Sequence, residues 1–285
     1  MSELYRSVLF MPGSNPRVIE KARTLDVDVI VFDLEDATAP EAKETARGLV
    51  SEALKDGAFG NSKLVVRING LATRWWQDDI AAIGALNPEA IIVPKINDAN
   101  DVSIIMDAMN KAGANDTNLW AMLETPIAFL NAGQIAGSSD RLQALVVGTN
   151  DLVKDLRARH VPNRESVITA LGTAVLAARA YGLLVIDGVY NDFMDDEGLR
   201  LHALQARDMG YDGKSLIHPS QVAITNEVFS PSHDEIADAK ALITAYKEAK
   251  VLNKGVATFK GKMIEELHVV EAERILDVAN TLGIG

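Results

Sequence analysis

No cysteine occurs among the 285 residues, which excludes disulfides, thiolate nucleophiles and cysteine-based zinc sites. Positive charge is scarce: 28 Lys and Arg stand against 40 Asp and Glu, for a formal net charge of −12. Without a basic stripe to hold a phosphodiester backbone, nucleic acid is not expected as a partner. An anionic ligand must then be gripped by a few placed cations or by a metal ion. No apolar run approaches the roughly 20 residues of a membrane span, and Met1-Ser2-Glu3-Leu4-Tyr5-Arg6 lacks a basic stretch followed by a long apolar one. A cytoplasmic protein with no membrane partner is the expectation. The glycine fingerprint of a dinucleotide-binding turn is also missing. Hydrophobic residues are plentiful, at 48%. They can fill a large core, and the length accommodates an α/β barrel of ~250 residues as a single unit.

Short β-rich runs alternate with helical patterns. The strands are expected at Arg6–Met11, Val27–Leu34, Lys63–Ile68, Ala90–Ile96, Leu119–Glu124, Leu142–Val147, Leu183–Ile186 and Gly213–Ile217. Between most of them lie helices, opened by Pro16 and Pro40 or running over Asp98–Ala112, Glu165–Tyr181 and Glu197–Met209. Eight such units in alternation predict a (β/α)8 TIM barrel over residues 1–230. Residues 231–285 read as a helical extension, a lid or oligomer contact. It comprises a long helix from Ser232 to Leu252, a loop from Asn253 to Lys262 and a last helix from Glu265 to Leu282.

The stretch Leu119-Trp120-Ala121-Met122-Leu123-Glu124-Thr125-Pro126 reads as a buried parallel strand that ends in a carboxylate. Glu124 either caps the helix that Pro126 opens or belongs to the active-site rim, which in such barrels lies at the carboxyl ends of the strands. Ionisable residues recur at that rim: Asp33, Glu35 and Asp36, then Arg67, Lys95, Glu124, Asp151, Asp187 and His218. A whole rim of charge implies mutual pairing, a metal or a charged substrate. Glu124 and Asp151 end successive strands, and two carboxylates without an imidazole suit Mg²⁺. Arg67 is an anion receptor with a fork matched to carboxylates, or the ion-pair partner of Asp33 to Asp36. Lys95 is either an ion-paired lysine or a Schiff-base former. His218 before Pro219 reads as a hydrogen-bonded helix start.

In chain order, Ser7-Val8-Leu9-Phe10-Met11-Pro12-Gly13, Phe32-Asp33-Leu34-Glu35-Asp36-Ala37, Val66-Arg67-Ile68-Asn69 and Val93-Pro94-Lys95 are followed by Leu123-Glu124-Thr125-Pro126, Gly148-Thr149-Asn150-Asp151-Leu152 and Gly213-Lys214-Ser215-Leu216-Ile217-His218-Pro219. This series resembles the citrate lyase beta subunit and the malyl-CoA and citramalyl-CoA lyases of the HpcH/HpaI aldolase superfamily. The resemblance implies a TIM barrel, Mg²⁺ held by Glu124 and Asp151, and substrate oxygens near Arg67, with Glu35 and Glu124 also facing substrate. It further implies that Arg17 and Lys21 lie where relatives contact CoA phosphates. The expected reaction is cleavage of a 3-hydroxyacyl-CoA or acyl-carrier thioester into a small 2-oxo acid and an acyl thioester, by a homo-oligomer, a trimer or hexamer. Relatives carry a catalytic Asp in a C-terminal Gly-x-Met-Ile/Val-Asp segment. This chain has Gly261-Lys262-Met263-Ile264-Glu265, so Glu265 is the candidate proton-transfer group and the longer side chain leaves lyase, thioesterase and aldolase outcomes open. The alternatives are a CoA-independent class II aldolase for 4-hydroxy-2-oxo acids and a non-catalytic CoA-thioester-binding subunit.

Overall fold

Strands buried on both faces need apolar side chains at every position, and the runs at Val29–Asp33 and Ala90–Val93 show how this chain meets that demand. The computed structural model describes residues 3–251 and 256–285. The chain divides into two compact units, one of residues 5–226 and one of residues 227–285 with Glu3 and Leu4.

The first unit begins with β1 (Ser7–Pro12), α1 (Pro16–Ala22), β2 (Val29–Asp33), α2 (Lys43–Asp56), β3 (Lys63–Arg67) and α3 (Trp76–Ile83). It continues with β4 (Ala90–Val93), α4 (Ala99–Lys111), β5 (Asn118–Leu123), α5 (Pro126–Leu130) and α6 (Ala132–Ala136). Then follow β6 (Leu142–Val147), α7 (Thr149–Asp155), α8 (Ile168–Ala180), β7 (Leu184–Asp187), α9 (Asp196–Met209) and β8 (Gly213–Leu216), and α10 (Gln221–Phe229) runs across the boundary at residue 226. The eight strands form a closed barrel in sequence order, every pair parallel, as the alternation predicts.

Period two decides which side chains fill the lumen. Val8, Val29, Val31, Val65, Ile92, Trp120, Met122, Val146 and Ile186 pack there as one apolar cluster. Trp120 is fully buried, donates from Nε1 to Gln143 Oε1 at 2.7 Å and meets Tyr5 edge-to-face at 5.9 Å. The same parity, continued toward the carboxyl ends, brings Asp33, Arg67 and Glu124 above this cluster.

Helix starts follow local chemistry. Asn15 caps α1 by accepting from the amides of Arg17 and Val18, with Pro16 at the first position. At α5 the cap is Thr125, whose Oγ1 accepts from the Ala128 amide ahead of Pro126. The capping alternative for Glu124 therefore falls to its neighbour. One short helix, α7, forms directly after β6, ahead of the expected helix over Glu165–Tyr181.

In the second unit, α11 (His233–Val251) packs on α12 (Glu266–Thr281) through Ala239, Ile243, Val269 and Ala272. Between them lies an antiparallel hairpin of β9 (Ala257–Phe259) and β10 (Lys262–Ile264), where a loop was expected. Lys260 and Gly261 both take positive φ, 48° and 76°, the two-residue turn whose twist matches paired strands. The expected helix end at Leu252 and the loop start at Asn253, Lys254 and Gly255 lie outside the described residues. Among the described residues no helix is long and apolar enough to cross a membrane.

Candidate active site

Strand register sets Asp33 beside Arg67. Arg67 Nε and Nη2 donate to Asp33 Oδ1 and Oδ2 at 2.7 and 2.5 Å, a bidentate grip on a fully buried carboxylate. Nη1 stands 3.0 Å from Glu35 Oε2, close enough for an ion pair but without hydrogen-bond alignment, so this buried oxygen has no donor. The guanidinium also lies 5.1 Å from the Phe10 ring centroid. The ion-pair reading of Arg67 is what the structure shows, with Asp33 and Glu35 as partners; the guanidinium has five N–H groups, more than these contacts use. Burial alone would lower the Arg67 pKa, but the Asp33 charge and hydrogen bonds outweigh it and the group stays ionised.

Lys95 connects the other carboxylates. Its ammonium stands 2.8 Å from Asp151 Oδ2, 3.6 Å from Glu35 Oε1 and 3.7 Å from Glu124 Oε1. Its amide donates to Glu124 Oε1 at 2.9 Å. Desolvation would lower the pKa of Lys95; the hydrogen bond to Asp151 and the charges of Glu124 and Glu35 raise it instead. An amine kept protonated by these carboxylates is a poor Schiff-base nucleophile, which favours the ion-paired reading.

Burial pushes Glu124 up to about 7, with Glu35 and Asp151 adding to the shift against Lys95 and Arg67. Burial likewise raises Glu35, opposed first by Arg67. Five carboxylates, Asp33, Glu35, Asp36, Glu124 and Asp151, meet three cations, Lys43, Arg67 and Lys95, so the cluster is short of positive charge. All its free donors are oxygen, the set a hard divalent cation prefers. Among the described residues no three acidic or histidine side chains are arranged around one point for a metal. Glu124 and Asp151 would therefore supply two ligands and leave the others to water or substrate, the usual habit of Mg²⁺ sites.

The HpcH/HpaI aldolase/citrate lyase family pattern matches residues 6–219. The chain belongs to this family. Over 279 residues, 98% of this chain and 96% of the relative, it is 46% identical to a (3S)-malyl-CoA thioesterase of Cereibacter sphaeroides. An L-malyl-CoA/beta-methylmalyl-CoA lyase of Rhodobacter capsulatus is 34% identical over 301 residues, covering 96% of this chain and 94% of that one. Among solved structures, protein CitE of Mycobacterium tuberculosis in complex with magnesium, acetoacetate and coenzyme A matches with a TM-score of 0.81. It is 27% identical, and the match covers 97% of this chain and 98% of that chain. HpcH/HpaI relatives thus include both lyases and thioesterases of CoA thioesters.

The remaining candidates of this HpcH/HpaI chain are spread more widely. Arg17 and Lys21 are exposed on α1, and neither pairs with an acid among the described residues. Glu265 belongs to the C-terminal unit, where it is exposed after β10 and its amide donates to His268 Nδ1 at 3.0 Å at the start of α12. His218 accepts at Nδ1 from the Ser220 amide and stacks on Phe193, a helix-start arrangement.

Asp187 does not join the rim cluster. Its parity is opposite to that of Ile186 in the lumen, so it points to the outer face of the barrel. There Lys214 donates to Asp187 Oδ2 at 2.6 Å and to the Gly188 carbonyl at 2.6 Å, while Arg164 Nη1 binds both Asp187 oxygens at 2.7 and 2.8 Å. Burial would raise Asp187, yet Lys214 and Arg164 lower it and keep it ionised. Sequence reading missed this trio; a lysine in the middle of an eighth strand was its one visible signal. A cavity of about 760 Å³ is walled by Thr149, Arg164, Tyr190 and His202 among others, and none of the five cluster carboxylates lines it. Arg164, the one arginine or lysine in its lining, is paired with Asp187.

Proposed function

We propose that this HpcH/HpaI chain is a Mg²⁺-dependent carbon–carbon lyase for a malyl-type CoA thioester, releasing a 2-oxo acid and an acyl-CoA. The observation that carries this reading is the Glu124–Asp151 pair, oxygen-only and short of positive charge, on the same rim as the Asp33-clamped guanidinium of Arg67. Glu124 and Asp151 would hold Mg²⁺, and the chemistry the ion would supply there is Lewis-acid polarisation of a substrate oxygen.

The chain's own residues do the rest. Asp33 fixes the plane of Arg67, so its remaining N–H groups are aimed before substrate arrives and stabilise negative charge as it develops. In the forward direction a carboxylate base takes the 3-hydroxyl proton as the hydroxyl carbon becomes the carbonyl, the C2–C3 electron pair passes to the thioester α-carbon, and the same carboxyl returns the proton to the resulting enolate. We assign that proton transfer to Glu265, whose carboxylate replaces the family's Asp in the Gly-x-Met-Ile/Val-Asp segment. Arg17 and Lys21, exposed and without an acidic partner among the described residues, are assigned to the CoA phosphates. The magnesium-, acetoacetate- and CoA-bound relative supports this assembly of ligands.

A second reading, thioester hydrolysis, is favoured by the 46% identity to a malyl-CoA thioesterase. Product identification by mass spectrometry separates the readings. With malyl-CoA and Mg²⁺, glyoxylate and acetyl-CoA are expected; malate and free CoA would establish hydrolysis instead. Turnover of a 4-hydroxy-2-oxo acid without CoA would mark an aldolase, and CoA binding without turnover of malyl-, citramalyl- or citryl-CoA would mark a binding subunit.

A further inference from the structure

We infer that the Lys95 ammonium is a tethered counter-ion that takes the place of the divalent cation among Glu35, Glu124 and Asp151, and leaves when that cation binds. The inference rests on the reading of Glu124 and Asp151 as metal ligands and adds a role for a residue that reading does not use.

The geometry makes the competition direct. One ammonium lies 2.8 to 3.7 Å from oxygens of three carboxylates carried by three different strand ends. A divalent ion bound by Glu124 and Asp151 would share this small space with a like charge, and like charges at such separations repel strongly in a half-buried site. One of the two must leave. Lys95 is the one built to move, because its side chain is 46% exposed and its flexible stem can return the ammonium to water.

The backbone around it is built to stay. The Lys95 amide holds Glu124 Oε1, and the Lys95 carbonyl accepts from Asn97 Nδ2 at 3.0 Å. Asn97 Oδ1 in turn accepts from Thr125 Oγ1 at 2.5 Å, which pins the turn to the β5–α5 corner. Departure of the ammonium therefore leaves Glu124 oriented by the peptide, while Asp151 loses its cation and is freed for the metal. Lys95 also sits at φ 54°, a conformation that glycine adopts without strain and a lysine does not. A side chain kept at a strained position is consistent with a task for that side chain.

The test uses EDTA-stripped full-length wild type, Lys95→Met and Lys95→Gln. Each is titrated with Mg²⁺ in a calorimeter and melted with EDTA and with saturating Mg²⁺. Both variants are expected to bind Mg²⁺ about tenfold more tightly, equivalent to roughly 1.4 kcal/mol of relieved competition. They should also melt below wild type in EDTA, with the gap closing in Mg²⁺; loss of a merely nearby charge would not produce this crossover. If wild type binds Mg²⁺ but both variants bind it equally or more weakly, or if the EDTA gap persists in Mg²⁺, the counter-ion role is overturned. Absence of Mg²⁺ binding to wild type would overturn the metal reading itself, and the inference with it.

Discussion

Gly148 lies so close to Glu124 that a Cβ built on it would overlap the carboxylate side chain. The two residues follow the register partners Val147 and Leu123, and the Gly148 amide donates to the Leu123 carbonyl at 2.9 Å, so the approach is set by the sheet. Gly148→Ala is therefore expected to push Glu124 off its position. Turnover should fall by about 10²-fold, as for a ~1 Å misplacement of a catalytic group. Overpacking should cost about 1–3 kcal/mol of stability. Steady-state kinetics beside urea unfolding checks both; wild-type turnover in the variant would show that the Glu124 position is unimportant.

Arg67→Lys keeps the charge but loses the planar fork that engages Asp33 through two nitrogens. The expected outcome is a kcat/KM lower by about 10²–10³-fold, comparable to removal of one oriented donor from an anion-stabilising site. A change confined to KM would assign Arg67 to uniform binding instead.

The raised Glu124 pKa gives the metal-free protein a pH signature. In the unfolded chain this carboxyl ionises near its ordinary 4.5; in the folded, metal-free state it holds its proton up to about 7. Between those values the folded state carries the extra proton, so stability falls as pH rises from about 4.5 to about 7. The full span is on the order of 3 kcal/mol. Saturating Mg²⁺ should remove the decline, because the bound cation favours the ionised carboxylate, and apparent Mg²⁺ affinity should rise with pH over the same window. Urea denaturation at several pH values, with EDTA and with Mg²⁺, reads this; a decline absent in EDTA would refute the assigned direction.

Lys214 is fully buried and pairs with Asp187 beneath the outer helices. Lys214→Met leaves Asp187 with Arg164 alone, and breaking a buried pair in this way costs about 3–5 kcal/mol. Chemical denaturation should show that loss, and Lys214→Met combined with Asp187→Asn should recover part of it. An unchanged unfolding midpoint would contradict the ion-pair account.

The barrel was legible because parallel strands covered on both faces are written as apolar runs, and because Asp33, Arg67, Glu124 and Asp151 fall at or just past their ends. What escaped reading depended on closure. Whether Asp187 faces the lumen or the helices turns on one residue of parity in a strand of only four residues, and Arg164, its partner, lies in a segment with no periodic signal. The β9–β10 hairpin has three residues per strand, too few for alternation to stand out, and only its Lys260-Gly261 turn hints at it. The left-handed backbone of Lys95 has no sequence mark, since Pro94-Lys95-Ile96 reads as the end of the fourth strand, which in the structure stops at Val93.

Calorimetric titration of Mg²⁺ into EDTA-treated wild type, Glu124→Gln and Asp151→Asn tests the central claim most directly. One binding event is expected in wild type, weakened at least about tenfold in each variant, the step that roughly 1.4 kcal/mol produces. Equal binding in all three proteins would contradict the assignment of Glu124 and Asp151 as the metal ligands.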